Sequence, residues 1–151
     1  MKLRFTTLCA ALILLASCVP NERTRVLADC RQSTNGTFAC SIRVGRTTMA
    51  GPELIAQIIP ALGAQPVHQA LTVRLRNKTS RTISLQCRPS GGINLDPFQA
   101  TELATLSEDS EQKICCVDVS EGPVVIDIEI LQGKPEGATV RILGRWVDVP
   151  M

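Results

Sequence analysis

The chain has no tyrosine, one tryptophan and one histidine among its 151 residues, and aromatics make up only 3%. That leaves little material for stacking on bases or sugars. One imidazole excludes any site that needs two. Gly-x-Ser-x-Gly and His-Glu-x-x-His are both missing, so neither a nucleophile elbow nor a zinc-binding helix is written in the sequence. No apolar run reaches the roughly 20 residues that cross a bilayer as a helix. Neither sign of charge dominates, with 16 basic residues against 14 acidic ones. At 44% hydrophobic and 20% charged, the composition is that of one globular domain rather than a disordered chain.

What is present begins with an address. Lys2 and Arg4 precede an apolar run from Leu8 to Ala16, the dimensions of a signal peptide core. The run ends in Leu15-Ala16-Ser17-Cys18, which resembles the lipobox of bacterial lipoproteins. The resemblance implies cleavage before Cys18 and acylation of that cysteine, and two or more acyl chains make a stable anchor. Val19 and Pro20 follow where an Asp would imply inner-membrane retention, so the expected location is the periplasmic face of the outer membrane. The expected organisation is a leader over 1–17, a lipidated tether over 18–29 and a folded domain over 30–151.

Loss of the leader removes Lys2 and Arg4 and no acid, which leaves the mature chain neutral. Most of its bases lie before Ser90 and most of its acids after Gly91. Pairing between the two halves is one reading, and a polar molecule with a basic and an acidic face is the other. Neutrality and compartment both argue against nucleic acid as a partner.

Beyond the tether the pattern is mostly period two. Asn35-Gly36 predicts a hairpin turn into a strand from Thr37 to Val44. Leu71, Val73 and Leu75, then Ile83, Leu85 and Cys87, predict a second hairpin around Asn77-Lys78-Thr79-Ser80. Further strands are expected at Leu103–Leu106, Lys113–Val119, around Ile126, Ile128 and Ile130, and from Thr139 to Val149. The last two would form a hairpin with Arg141 and Arg145 near Glu129 and Asp127. Leu54, Ile55, Ile58, Ile59 and Leu62 have helical spacing after Pro52, which predicts one short helix covering the core. The fold class expected is all-β: an antiparallel, Ig-like β-sandwich of about seven strands with one short helix.

Seven cysteines fit an oxidising compartment. Cys9 leaves with the leader and Cys18 takes lipid, so five remain. Cys30 and Cys40 flank Asn35-Gly36 almost symmetrically and should bond across that hairpin. Cys87 shares its apolar face with Ile83 and Leu85, and Cys115 shares one with Val117 and Val119. That parity favours a Cys87–Cys115 bond, with Cys87–Cys116 as the competitor. Adjacent strand residues point to opposite faces, which argues against Cys115 and Cys116 holding one metal.

The sequence offers no catalytic constellation, no cofactor site and no metal site. His68 lies in a Gln- and Pro-containing stretch with no motif around it. Glu108, Asp109 and Glu111 read as a solvated charged turn, and Trp146 as a core plug. Arg74, Arg76, Lys78, Arg81 and Arg88 suggest a basic stripe on one sheet face, serving intramolecular pairing or a contact with a partner or anionic polymer.

The stretch from Thr72 to Arg88, with Asn77-Lys-Thr79 at its turn and Leu85-Gln-Cys87-Arg88 in its second strand, is similar to the YcfL-type small envelope lipoproteins. Cys87 stands where that family has an aromatic. The resemblance implies a lipidated β-sandwich with no catalytic residue. The expected function is therefore a non-enzymatic binding or structural role, as an accessory subunit of a cell-envelope assembly with an envelope protein as partner. Phe38-Ala39-Cys40 resembles lipidated lysozyme inhibitors, which makes a hydrolase inhibitor with a projecting loop from Pro89 to Asp96 the first alternative. Lipid or glycan binding is the second.

Overall fold

The computed structural model describes residues 21–32, 36–45, 51–60, 62–63, 69–88, 91–108, 111–132 and 139–148. All regular structure among the described residues is strand: β1 (Asn21–Gln32), β2 (Phe38–Val44), β3 (Glu53–Ile59), β4 (Thr72–Asn77), β5 (Ile83–Cys87), β6 (Gly91–Leu95), β7 (Ala100–Ala104), β8 (Leu106–Glu108), β9 (Glu111–Val117), β10 (Val124–Gln132) and β11 (Thr139–Asp148). Period-two alternation drives this. In β4, Val73 and Leu75 are fully buried while Thr72, Arg74 and Arg76 face outward. In β10, Ile126, Ile128 and Ile130 are fully buried between half-exposed Asp127 and Glu129.

The strands join antiparallel in the order β6-β5-β9-β3-β11-β1-β2-β10-β4-β7, with β8 beside β9. The sheet bends at β1. Up to Cys30 that strand pairs with β11, and then Arg31 and Gln32 pair with β2. One strand thus serves both layers, and the sheet nearly closes into a barrel. Its two end strands, β6 and β7, are joined by the turn at 96–99. Phe38, Leu54, Leu75, Leu85, Ile114, Ile128 and Ile142 fill the interior.

The structure corrects several expectations. The short helix is strand β3. Leu54 and Ala56 enter the core and Ile58 packs against it, which is period two. The helical spacing is a coincidence of an isoleucine-rich central strand held between β11 and β9. β-Branched Ile55, Ile58 and Ile59 suit that setting better than a helix. Residues 21–29 of the expected tether are the paired part of β1: the backbone ladders onto β11, and Asp29 and Glu22 reach Arg141 and Arg145 there.

β4 and β5 do not form a hairpin. β4 lies between β10 and β7, and β5 between β6 and β9, so the chain arches from one layer to the other. Buried Asn77 holds that arch. Its Nδ2 donates to the carbonyls of Arg81 (2.8 Å) and Leu95 (3.0 Å), and its Oδ1 accepts from the Thr79 N–H (2.8 Å). The Thr79 hydroxyl and Lys78 N–H then pin the turn to Val125. A matching device holds the far end, where Leu71 N–H donates to the Thr105 hydroxyl, which itself donates to Gln112 Oε1. β10 and β11 are likewise not partners, since each is enclosed by other strands.

Both expected disulfides are present: Cys30–Cys40 and Cys87–Cys115. Register explains each. Arg31 pairs with Ala39, which sets Cys30 opposite Cys40. Gln86 pairs with Cys116, which sets Cys87 opposite Cys115. Cys116 points to the outer face and remains a free thiol. The first bond sits where β1 passes between layers, and the second ties β5 to β9.

Candidate functional site

A polar surface with defined side-chain pairing is the outer face of β2, β10, β4 and β7. Two rungs of outward-facing residues cross it. One runs Ala39, Glu129, Arg74, Glu102, and the next runs Ser41, Asp127, Arg76, Ala100. Ala39, Cys40, Arg74, Arg76, Asp127, Ile128 and Glu129 line a groove of about 460 Å³ there.

Arg74 is clamped on both sides, by Glu102 at 2.7 Å and Glu129 at 3.1 Å. Its bonds to Glu102 first and Glu129 second stabilise the charged guanidinium further. Arg76 Nη1 donates to the Phe98 carbonyl oxygen at 2.8 Å. Asp127 accepts from the Ser41 hydroxyl at 2.5 Å, with the Lys78 ammonium 4.0 Å away. These are partly exposed pairs, screened by solvent and individually weak. Together they leave a face whose charges largely answer one another.

The predicted basic stripe is therefore divided. Arg74, Arg76 and Lys78 come together on this face. Arg81 lies at one end of the sheet, where it donates to the carbonyls of Gly122 (2.7 Å) and Pro123 (3.2 Å). Arg88 is on the other layer, exposed beside Glu108 and Cys116, whose titration it influences. Period two places Arg74, Arg76 and Lys78 on one face correctly, but the arch carries Arg81 and Arg88 away.

A second polar cluster, missed in the sequence, lies on the outer face of β3, β9 and β11. Arg145 there is ion-paired with Glu111, with Glu53 and Glu22 at 3.8 Å. The bond from Arg145 holds the Glu111 carboxyl below its ordinary range. Arg141 pairs with Asp29 at 2.9 Å. Neither arginine meets Glu129 or Asp127, because β10 is in the other layer. Only long-range register brings these partners together, and no local signal announces it.

Two groups among the described residues, Lys113 and Cys116, bear on base or nucleophile chemistry. Ser110-Glu111-Gln112-Lys113 has the Ser-x-x-Lys spacing of some serine nucleophiles. Lys113 lies on a strand, and its ammonium is tied to Glu108 at 2.8 Å, which raises its pKa. It is held as a cation and not as a base. Burial, and next the Glu53 carboxylate, push the Cys116 thiol up, away from thiolate character. Among the described residues no three His, Cys, Asp or Glu side chains gather as a metal site. Trp146 is 3% exposed and packs on Gly144, so it is a core plug. The loop expected to project from Pro89 to Asp96 is largely strand, since Gly91–Leu95 is β6. His68, Asp109, Cys9 and Cys18 lie outside the described residues.

The chain matches no known protein family and no curated protein. Among solved structures, a family two carbohydrate esterase from Cellvibrio japonicus is similar over 86% of this chain at 8% identity, with a TM-score of 0.20. This chain spans 34% of that one, about a third of its length. Likeness at that level carries no argument about fold or activity.

Proposed function

We propose that this chain is an outer-membrane lipoprotein, anchored through Cys18 and facing the periplasm, with a non-enzymatic binding or structural role in a cell-envelope assembly. The observation that carries the reading is the meeting of a lipobox with a domain closed by two disulfides, Cys30–Cys40 and Cys87–Cys115. Structural disulfides persist best in oxidising compartments outside the cytoplasm, which supports an exported chain. The lipobox says how such a protein would be held. We further read the two layers bridged by β1 as a variant of the Ig-like sandwich.

A tethered domain needs little affinity of its own, since anchoring raises its local concentration at the membrane. The edges of β6 and β7, which end the sheet among the described residues, would take an extended partner segment by strand addition. The charge lattice of β4, β7 and β10 would then set orientation. The test is crosslinking in intact envelopes followed by purification of the tagged full-length chain. Recovery of one assembly in near-stoichiometric amount supports an accessory subunit. Recovery of soluble hydrolases instead would favour the inhibitor reading, and recovery of bulk membrane protein alone would refute both.

A further inference from the structure

Two features far apart in sequence lie at the same end of the barrel. The strand ladder runs Thr24, Arg145, Glu53, Cys116, Gln86 across five neighbouring strands. Three residues toward one end of those strands lie Asn21, Asp148, Val119 and Ile83, and Ile83 pairs with Leu95. The chain therefore enters β1 at the same end at which the turn 96–99 leaves β6.

That turn presents Phe98, which is 60% exposed and whose φ is +65°. Phe98 is the one non-glycine residue with positive φ among the described residues. That conformation costs an aromatic steric crowding, and no burial offsets it here. The turn is nonetheless tightly held. Phe98 N–H donates to Asn77 O (2.7 Å), Asn77 N–H to Gln99 O (2.9 Å), and Gln99 N–H to Asp96 O (3.0 Å). Arg76 fixes the Phe98 carbonyl, and the Lys78 ammonium lies 5.6 Å from the ring centroid. An exposed aromatic is thus displayed rigidly with a cation beside it.

We propose that this end of the barrel docks on the phospholipid surface, with Phe98 seated at the headgroup–acyl boundary and Lys78 at the phosphates. The inference rests on the reading of Cys18 as the anchor. Three peptide links separate Cys18 from Asn21, a reach of about 11 Å at most. An acylated Cys18 therefore holds this rim, and not the opposite one, against the bilayer. Aromatic and basic side chains are the pair that suits a membrane interface. Asp127, 4.0 Å from the Lys78 ammonium, and Asp96, Asp118 and Glu121 lie at this end with Lys78 and Arg81, so the surface that fits is zwitterionic rather than strongly anionic.

The test uses the acylated full-length chain carrying Phe98→Trp, reconstituted in phosphatidylethanolamine–phosphatidylcholine vesicles with brominated acyl chains. Wild type, with Trp146 buried, supplies the background. The emission added by the introduced indole should fall at least twofold on bromination. It should also shift to the blue of its value in detergent-free buffer with acyl chains removed. Intact mass is measured first on each sample. Missing acyl mass overturns the anchor reading and docking with it. Acyl mass with unquenched emission from the introduced indole overturns docking alone. Shielding of that indole only in native envelopes, and not in these vesicles, assigns the face to a protein and also overturns the proposal.

Discussion

Removing each disulfide as a pair of Cys→Ala substitutions should destabilise the chain unequally, and the order follows from register and loop length. Cys87–Cys115 closes a separation of 28 residues and Cys30–Cys40 one of 10. In the chain-entropy account the first contributes about 3.6 kcal/mol at 25 °C and the second about 2.7 kcal/mol. Burial acts in the same direction. Cys87 and Cys115 are both buried, whereas Cys40 is only partly so, and deleting buried sulfur leaves unfilled space. With an m-value of about 2 kcal/mol/M, urea midpoints should fall by about 1.8 M for Cys87→Ala/Cys115→Ala and about 1.3 M for Cys30→Ala/Cys40→Ala. Paired substitution matters, because one thiol left behind would add its own chemistry. The single variant Cys115→Ala also separates two pictures of β9. Cys116 faces outward, so it should not replace Cys115, and peptide mapping should find Cys87 unpaired. A reversed order of midpoints, or a Cys87–Cys116 bond in that variant, would refute the register argument.

Other expectations follow from particular contacts. A β-carbon at Gly51 would lie 1.7 Å from the Val117 carbonyl oxygen, which is backbone, so Gly51→Ala should cost several kcal/mol or abolish soluble expression; near-wild-type melting would contradict that packing. Asn77→Ala strands the buried Leu95 carbonyl, the part-buried Arg81 carbonyl and the Thr79 N–H at the arch and should lower stability by about 3 kcal/mol by urea titration. Asp29, Glu108, Glu111 and Asp118 all titrate lower in the folded chain than their ordinary 3.8 and 4.5, with Arg141, Lys113, Arg145 and the Ser120 N–H as leading causes. A lowered folded pKa contributes stability that is complete above the unfolded pKa and drains as pH falls through the folded one. Stability should therefore be flat near neutrality and decline below about pH 4.5, and Arg145→Gln should flatten part of that decline. Native protein with Cys18 acylated should show one alkylatable thiol, Cys116, reacting slowly at pH 7 and faster as pH rises past 9.

Much of the strand content was legible because one face of each strand is dry. β2, β4, β5, β10 and β11 carry clear alternation, and the same parity separated Cys115 from Cys116. The failures share a physical cause. β3 is a central strand whose apolar run has no alternation to see in Leu54, Ile55 and Ala56, so helical spacing fits it by accident. Gly91 and Gly92 look like loop residues, yet pair with Cys87 and Gln86. The arch at Asn77 looks like a hairpin because a turn signal says that the chain reverses, not which layer it enters. The candidate site divided along the same line. Arg74, Arg76 and Lys78 shared a face as their spacing required. Their carboxylate partners came from β7 and β10, and those of Arg145 from β9 and β3, at distances in sequence that no local pattern encodes.

Intact-mass measurement of protein extracted from the membranes of its native host tests export, acylation and oxidation of the chain together. The mass should begin at Cys18, carry acyl groups that are lost in Cys18→Ala, and fall four hydrogens short of the fully reduced domain. An unacylated chain that still contains residues 1–17, or one that carries all its thiols reduced, would contradict it.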